Sequence, residues 1–283
     1  MGRLFDQVTR FDNLHAAAWD VLRGKRGRPG ANRLFLRLED ELLRLQREIR
    51  SGAYRTGAYR SFWIRDPKPR LISAAPLRDR VVHHAVVRVI EPLFERRFIH
   101  NSYACRTGKG NHRALAQFVE WARSKRYTLM LDIYRFFPTI DHEVLKAEVR
   151  RGLHDRPLLR LVDLIIDGSN PQETVPLAWF PGDGLFTPSS RRRGLPIGNL
   201  TSQFLANVLL DRVDHLVKDR LRAKRYLRYV DDLAVFHDDP AFLRDVHGAV
   251  VAELADLRLR LNAGKSRLRQ VKEGLSFLGF TVT

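Results

Sequence analysis

The sequence predicts an α+β fold, on three observations. Stretches with apolar residues at helical spacing alternate with short apolar runs that are bounded by turn residues. The two kinds of segment interleave without the regular strand–helix–strand rhythm of a doubly wound sheet. Hydrophobic residues make up 44% of the 283 residues and charged residues 29%, so the chain can bury a substantial core.

The first half of the chain is predicted to be mainly helical. Residues 1–50 have helical periodicity, and Asp12 is a candidate N-cap within them. Residues 61–76 contain two short strands around a turn at residues 66–69, where Asp, Pro and Lys cluster. A long amphipathic segment follows over residues 79–98, with its apolar side chains on one face.

The second half changes period repeatedly. An apolar strand ends at Asp132, and Asp141 is a candidate N-cap for the helix after it. Residues 168–193 show no periodic pattern. The remaining predicted elements are a helix over 200–221, a hairpin over 224–239, a helix over 241–257 and short strands beyond it.

The chain is strongly basic, with 50 Lys and Arg against 32 Asp and Glu and a formal net charge of +18. Such a surface predicts a polyanionic partner, first of all a nucleic acid; the alternative is a charge that serves solubility alone. No run approaches the roughly 20 apolar residues of a membrane span, and the N-terminus lacks the apolar core of a signal peptide. The single cysteine, Cys105, excludes an intrachain disulfide and a cysteine-based zinc cluster, which favours the reducing cytoplasm.

Two adjacent carboxylates, Asp231 and Asp232, lie inside the predicted hairpin between apolar runs. Ionised carboxylates repel each other and are costly to bury. Asp132, at the end of a much earlier strand, would join them if the two strands were neighbours in one sheet. Three such carboxylates could hold a pair of Mg²⁺ ions and leave positions open for phosphate and water. The alternative is a hairpin turn that carries two solvated acids.

Five motifs, in order, resemble those of reverse transcriptases, and they extend over most of the chain. Each motif alone is weak, but their order and spacing fit that family. The motifs are LDIYRFF (131–137), GLPIGNLTSQFLAN (194–207), YVDD (229–232), NAGKSRL (262–268) and FLGF (277–280).

The motif at residues 194–207 matches the nucleotide-site loop and helix of reverse transcriptases, and it narrows the resemblance to one subgroup of that family. Group II intron enzymes usually carry Gln-Gly and Ser-Pro there, whereas this chain has Ile197-Gly198-Asn199 and Ser202-Gln203. That form resembles the reverse transcriptases of diversity-generating retroelements, which are related to the group II intron enzymes. Those enzymes copy a template-repeat RNA with adenine-directed errors and deliver the cDNA to a variable gene, a process called mutagenic retrohoming.

The resemblance implies a right-hand polymerase fold with fingers and palm, an antiparallel palm sheet with helices, and no evident thumb. We expect an N-terminal helical extension over residues 1–60 and fingers over 61–125. The palm, with a fingers insertion and a C-terminal primer grip, is expected over 126–283. The chain ends three residues after Phe280, the last residue of the primer-grip match, so the thumb is expected to be absent or cut off.

The resemblance also assigns the chemistry. Asp132, Asp231 and Asp232 match the catalytic aspartates, with the Ile133 carbonyl as an additional metal ligand. The expected cofactor is a pair of Mg²⁺ ions, with Mn²⁺ as an alternative. Lys265 matches a lysine proposed to protonate the leaving pyrophosphate, which suits a general acid; a contact with a backbone phosphate is the alternative.

The resemblance also assigns residues to the nucleotide site. Two of them lie in the expected fingers and the others lie further along the chain. Arg70 matches the arginine that grips the triphosphate and Lys68 is a second candidate, because cationic side chains bind phosphate oxygens; a solvated turn charge is the alternative. Phe137 matches the steric gate that excludes a ribose 2′-hydroxyl, against ordinary core packing. Ile197 stands where accurate relatives have a Gln, which leads to the hypothesis of low fidelity. The matching motifs add Gly198, Gln203 and Tyr229.

The predicted nucleic-acid contacts fall into two groups. The primer-grip match comprises Leu278, Gly279 and Phe280, for which a plain apolar strand is the alternative. The basic triplet comprises Arg191, Arg192 and Arg193, for which a solvated charge run is the alternative. The adjacent His83 and His84 point to different faces of a helix, so packing or a surface position is expected rather than a shared metal.

The sequence therefore predicts a cytoplasmic RNA-directed DNA polymerase that acts without a membrane. Its expected partners are an RNA template, a DNA or RNA primer, deoxynucleoside triphosphates and a small basic accessory protein. Error-prone synthesis in a diversity-generating retroelement is the expected setting. Two alternatives stay open: a domesticated or antiphage-defence reverse transcriptase, and a catalytically idle RNA-binding protein.

Overall fold

The computed structural model describes residues 3–25, 27, 29–65, 69–170 and 173–282. Its chain divides into two compact units, each assembled from three segments. The first unit comprises Met1–Arg96, Leu145–Thr174 and Arg192–Leu205, and the second comprises Arg97–Val144, Val175–Arg191 and Ala206–Thr283. Among the described residues, no helix is long and apolar enough to cross a membrane.

The first unit is mainly helical, as the periodicity predicts. Two helices, α8 (His142–Arg150) and α11 (Leu200–His215), belong to neither unit alone, because each has residues in both. The elements of the first unit are α1 (Leu4–Thr9), α2 (Phe11–Leu22), α3 (Pro29–Leu36), α4 (Leu38–Ser51), β1 (Arg60–Arg65), β2 (Pro69–Ala74), α5 (Leu77–Glu95) and α9 (Arg156–Asp167).

Helix ends in this unit follow local chemistry, with one difference from the prediction. The carboxylate of Asp155 caps α9 by accepting the Leu158 N–H at 3.2 Å. Gly52, at φ 75°, ends α4 in the left-handed conformation that glycine favours. The predicted N-cap role of Asp12 is wrong: α2 begins at Phe11, with Arg10 as its N-cap. Asp12 instead lies in the first turn, where its carboxylate pairs with the Arg10 guanidinium at 2.8 Å.

The predicted strand pair near residue 65 is present as an antiparallel hairpin. β1 pairs with β2 from Arg60 opposite Ala74 to Arg65 opposite Pro69. Every residue of β1 is exposed, and the Ser61 and Ser73 hydroxyls lie 3.0 Å apart across the strands. The first three residues of the predicted turn, 66–68, lie outside the described residues.

The second unit carries an antiparallel sheet, so the predicted α+β fold is confirmed. Four strands form this sheet in the order β4-β5-β3-β6, and β7 and β8 form a separate hairpin. The elements are α6 (Asn111–Ser124), β3 (Tyr127–Asp132), α7 (Phe136–Thr139), α10 (Thr187–Ser190), a π-helix (Leu216–Arg220), β4 (Tyr226–Tyr229), β5 (Asp232–His237), α12 (Pro240–Asp256), β6 (Arg267–Gln270), a 3₁₀-helix (Val271–Glu273), β7 (Leu275–Phe277) and β8 (Phe280–Val282).

An aromatic cluster holds the sheet, α6 and the last hairpin together. The rings of Phe118 and Phe277 stack with centroids 4.4 Å apart, and Phe236 meets Phe118 edge-on at 5.0 Å. Leu227 and Leu275 belong to the same buried cluster. The cluster therefore packs α6, the strands β4 and β5 and the β7–β8 hairpin on one core.

The N-cap predicted at Asp141 is confirmed. Its Oδ1 atom accepts the backbone N–H groups of Glu143 and Val144 at 2.9 and 3.1 Å. Its Oδ2 atom accepts the Arg258 guanidinium at 2.9 Å. This cap fixes the chain that follows β3.

Candidate active site

Three aspartates meet at one end of the four-stranded sheet. β3 and β5 are antiparallel neighbours, and Asp132 lies directly opposite Asp232 in their register. Asp232 also lies opposite Tyr229 across the β4–β5 hairpin, and Asp231 occupies the turn between these strands. The convergence expected from the sequence is therefore present, while the catalytic roles of the three aspartates stay predictions.

The surroundings of Asp232 disfavour its negative charge. Burial, followed by repulsion from Asp231 and Asp132, raises the pKa of Asp232 to about 7. Carboxylates held together in this way are stabilised by a bound cation, because a cation offsets both burial and repulsion.

Lys265 supplies one cation to this site. Its Nζ atom lies 2.5 Å from the Oδ2 atom of Asp132, and this hydrogen bond raises the pKa of the ammonium group. The loop before Lys265 is tied to the end of β3, because the Asn262 N–H donates to the Asp132 carbonyl at 2.8 Å. The Ser266 hydroxyl accepts the Asp132 N–H at 3.3 Å. The lysine is thus placed by the same strand that carries the aspartate.

The donor set suits Mg²⁺ when substrate oxygens complete the coordination. Within the described residues, no group of three or more His, Cys, Asp and Glu side chains is already clustered as a metal site. Mg²⁺ commonly binds one or two carboxylates together with water and substrate phosphates, and Asp132 and Asp232 provide such a pair. A cleft of about 330 Å³ touches both carboxylates and is also lined by Lys265, Arg267 and Arg269. The residues therefore fit a divalent cation with a phosphate-bearing substrate.

Backbone near the site is positioned by the sheet. The Ile133 N–H donates to the Asp231 carbonyl at 3.3 Å, and Ile133 forms a bridge with Leu261. Ile133 itself is buried. These contacts hold the chain at Ile133 beside the turn, where its carbonyl is the predicted additional ligand.

The two adjacent phenylalanines after β3 have different surroundings. Phe136 is buried in the core, whereas Phe137 is only partly buried. Their ring centroids are 5.3 Å apart. The greater accessibility of Phe137 suits it, rather than Phe136, as a gate.

The predicted primer-grip residues form the β7–β8 turn. Phe277 pairs with Phe280, which leaves Leu278 and Gly279 as a two-residue turn. Both turn residues have positive φ, 52° and 83°, as a type I′ hairpin requires. Phe280 is exposed, while Leu278 packs against the aromatic cluster. The hairpin thus presents one aromatic ring outward from an anchored turn.

In the first unit, hydrogen bonds hold the predicted nucleotide-site loop around residues 197–199 against β2 and the residue that follows it. The Ser73 N–H donates to the Ile197 carbonyl at 3.2 Å. The buried Asn199 side chain donates to the Ser73 carbonyl at 2.9 Å and accepts the Ala75 N–H at 3.4 Å. Gly198 has φ 103°, which only glycine adopts readily. Asn199 is therefore a positioning residue that motif matching alone did not assign.

The remaining predicted nucleotide contacts that the structure describes are exposed or partly exposed. Arg70 lies on β2 opposite Ile64 and is exposed, and Gln203 is exposed on α11. Ile197 and Tyr229 are partly buried. Lys68 lies outside the described residues.

The three arginines of the basic triplet differ. In the second unit, the Arg191 side chain is only 6% exposed and pairs with Asp183 and, at 3.5 Å, with Asp141. That burial favours a structural role over a nucleic-acid contact. In the first unit, Arg192 is mostly exposed and donates to the Asp167 carbonyl at 2.7 Å. Arg193 is partly exposed, so Arg192 and Arg193 stay candidates.

A second basic feature lies in the first unit. A cavity of about 760 Å³ is bordered by α1, α4 and α9, and its lining includes five arginines with Asp6 as the acidic member. Arg50 donates to the Thr9 hydroxyl at 3.1 Å, which orients its side chain. The arginines are Arg3, Arg10, Arg50, Arg55 and Arg160. Guanidinium groups bind phosphate oxygens well, so this cavity suits a polyanion.

The sequence matches the family described as "Reverse transcriptase (RNA-dependent DNA polymerase)" over residues 65–282. The match spans most of the chain, including the three aspartates and Lys265. The chain belongs to the reverse transcriptase family, the class of RNA-directed DNA polymerases.

The chain is also similar to individual proteins. The chain is 26% identical to Protein YkfC of Escherichia coli (strain K12), over 98% of this chain and 82% of that protein. It is 20% identical to the Putative COX1/OXI3 intron 1 protein of Saccharomyces cerevisiae, over 84% of this chain and 26% of that protein. The chain thus spans about a quarter of the yeast protein's length.

A solved structure shares the fold. The apo telomerase of Candida tropicalis superimposes with a TM-score of 0.58 and 10% identity, over 80% of this chain and 47% of that one. The predicted polymerase fold is therefore confirmed, on a chain that covers about half of the telomerase.

Proposed function

We propose that the protein makes cDNA from an RNA template at the site formed by Asp132, Asp231 and Asp232. The observation that carries this proposal is the cross-strand pairing of Asp132 with Asp232, beside a cleft lined by Lys265 and two arginines. Opposed carboxylates beside a cationic cleft suit transfer of a nucleotide, because the reaction brings together phosphate oxygens and divalent cations.

Together, the three aspartates would hold one pair of Mg²⁺ ions, or Mn²⁺ ions in their place. The Ile133 carbonyl would be a further ligand. Bound there, the ions would activate the primer 3′-hydroxyl and stabilise charge on the phosphates. The protein itself orients the carboxylates through the sheet and places Lys265 beside Asp132.

The remaining residues divide between nucleotide and nucleic acid. We assign the triphosphate to Arg70 and Lys68 and the sugar to Phe137, on the motif match. The rest of the nucleotide set is Ile197, Gly198, Gln203 and Tyr229. Nucleic-acid contacts are assigned to Arg192, Arg193, Leu278, Gly279, Phe280 and the five-arginine cavity, in keeping with the net charge of +18.

The biological setting is the finer part of the proposal. The Gly-Asn…Ser-Gln form of the nucleotide-site motif supports a diversity-generating retroelement, with error-prone synthesis and a small basic accessory protein in the cytoplasm. A domesticated or antiphage-defence enzyme would share the chemistry. An adenine-rich repeat pair beside the gene would favour the retroelement.

Primer extension tests the chemistry. The protein is incubated with an RNA template, a primer, Mg²⁺ and four deoxynucleotides, with and without the accessory protein. We expect extension by the natural sequence and none by Asp231→Ala Asp232→Ala. Asp245→Ala, which removes an exposed carboxylate on α12 of the same unit, is the matched control and should extend normally.

Two results would contradict the proposal. Salt-dependent RNA binding without extension under any condition would favour an idle RNA-binding protein. Extension that survives the double aspartate substitution would place the chemistry elsewhere.

Product sequencing tests the error-prone hypothesis. Ile197 cannot make the hydrogen bond of a glutamine side chain, so base-pair geometry would be checked less strictly. We expect errors opposite template adenines, and we expect Ile197→Gln to lower their frequency. Accurate products from the natural sequence would refute the retroelement assignment while leaving the polymerase intact.

A further inference from the structure

The turn that carries Asp231 has an unfavourable backbone conformation. Tyr229 pairs with Asp232, so the turn consists of Val230 and Asp231. Val230 has φ 54°, a region that glycine favours and that β-branched residues rarely adopt. Such a conformation persists only where the surrounding structure imposes it.

Arg228, two residues before Val230, supplies a constraint on that turn. Its Nη1 atom donates to the Val230 carbonyl at 3.1 Å and to the Asn207 side-chain oxygen at 3.0 Å. Its Nε and Nη2 atoms face the Asp214 carboxylate, at 2.8 and 2.7 Å. One planar guanidinium therefore connects α11 to the carbonyl at the start of the catalytic turn.

The acceptors of this guanidinium are themselves fixed. The Tyr226 hydroxyl donates to Asp214 at 2.7 Å, and the Asn207 amide donates to the Ala104 carbonyl at 2.9 Å. Arg228 and Asp214 are both 0% exposed. Burial opposes the charge, yet the Asp214 carboxylate raises the pKa of Arg228 above its ordinary value. The network is therefore rigid and charged.

Stability alone is a poor explanation for such a network. The cost of desolvating a buried ion pair offsets much of its attraction, and apolar side chains of similar volume often serve as well. Apolar side chains cannot donate to the Val230 carbonyl. The next carbonyl, of Asp231, accepts the Ile133 N–H at 3.3 Å. Successive carbonyls of the turn are thus held from two sides.

We propose that Arg228 is a positioning residue, which fixes the Val230 carbonyl and thereby sets the direction of the Asp231 and Asp232 carboxylates. This inference rests on the proposed active site. Lysine at position 228 would keep a charge beside Asp214, but a single ammonium cannot reproduce a planar fork that bonds Asp214, Asn207 and Val230 together.

Single-nucleotide incorporation with Arg228→Lys tests the proposal. We expect kcat to fall about 10- to 100-fold, as for a small misplacement of catalytic groups. The KM for the nucleotide and the affinity for primer–template should change by less than about twofold, since binding groups are untouched. Arg212→Lys is the matched control, because Arg212 pairs with Glu253 and Asp256 in the same unit. It should keep the natural kcat.

A backbone substitution gives an independent readout. Glycine adopts positive φ without strain, so it removes the need for the arginine constraint. Adding Val230→Gly to Arg228→Lys should therefore restore part of the lost kcat. An unchanged kcat in Arg228→Lys, an equal loss in Arg212→Lys, or no recovery with Val230→Gly would each overturn the proposal.

A charge-free variant covers the case in which Arg228→Lys does not fold. Arg228→Met with Asp214→Leu removes both charges together, so no unpaired charge is buried. Folded protein with reduced kcat supports the proposal, and folded protein with natural kcat overturns it. Failure of both variants to fold also overturns it, because the pair would then be required for stability. Failure of the proposed function is distinct, since it would appear in the natural sequence or in Asp231→Ala Asp232→Ala.

Discussion

The ammonium group of Lys265 and the carboxylate of Asp132 form an ion pair at 2.5 Å across the end of the palm sheet. The lysine side chain is 55% exposed and the aspartate 13% exposed, so the lysine can leave the pair while the aspartate stays in place. While the pair is intact, the hydrogen bond to Asp132 raises the pKa of Lys265 and keeps the ammonium group charged. A charged ammonium group that can leave the pair is a strong partner for a phosphate.

We therefore expect charge, rather than proton transfer, to dominate the role of Lys265. Lys265→Arg should keep most of the incorporation rate, and Lys265→Ala should lose about tenfold or more, as for other charge-stabilising groups. Single-turnover incorporation at saturating nucleotide measures both. An equal loss in the two variants would instead identify Lys265 as the general acid.

Sugar selection should depend on Phe137 and not on its neighbour. Phe137→Val opens space beside the nucleotide sugar, so we expect ribonucleotide incorporation relative to deoxynucleotide to rise at least about tenfold. Phe136→Val, within the core, should lower the melting temperature and leave sugar selection unchanged. Competition between the two nucleotide types measures the ratio. A ratio unaffected by Phe137→Val would favour ordinary packing.

Gly198 should be intolerant of a side chain. A Cβ atom at Gly198 would lie 3.0 Å from the Cγ2 atom of Ile72, and φ 103° strains any other residue. We expect Gly198→Ala to destabilise the loop by roughly 1–3 kcal/mol and to raise the KM for the nucleotide. Gly248→Ala in α12, where a Cβ atom meets nothing within 4 Å, is the control and should be neutral or stabilising. Equal behaviour of the two variants would contradict the assignment of the loop.

His83 should make stability depend on pH. Burial, with repulsion from His84 and Arg80, lowers the pKa of His83 to about 3, and neither ring nitrogen has a hydrogen-bond partner within the described residues. The unfolded chain, with a pKa of roughly 6.5, binds a proton more readily. The free energy of unfolding therefore has its full value above a pH of about 6.5, and it decreases as the pH falls from there towards the pKa of His83 in the folded protein.

Replacing His83 by an apolar residue should remove this dependence. We expect His83→Leu to flatten the dependence of the melting temperature on pH between about pH 4 and pH 6.5. In that range, His83 costs the natural sequence at most about 1.4 kcal/mol of unfolding free energy per pH unit. The exposed His112 gives the control His112→Gln, which should keep the natural slope. The same slope in His83→Leu would exclude His83 as the cause.

Periodicity and motif spacing predicted the fold and the convergence of the three aspartates. The strand that ends at Asp132 and the hairpin around Asp231 both follow from local patterns, which do not depend on distant residues. The burial of Arg191 and the pairing of Arg228 with Asp214 could not be predicted, because each depends on partners brought together by packing. An arginine between apolar residues of β4 was the available signal for Arg228. The role of this arginine could be inferred only from the position of α11, which carries its partners Asp214 and Asn207.

The stacked rings of Phe118 and Phe277 link the last hairpin to the strands that carry the aspartates. Segments that share a core tend to open together, so their amide hydrogens should exchange with solvent as one cooperative group. Loss of the β7–β8 hairpin would then speed exchange in β4 and β5 as well. The β7–β8 hairpin is thus part of the cooperative unit that protects β4 and β5 from opening.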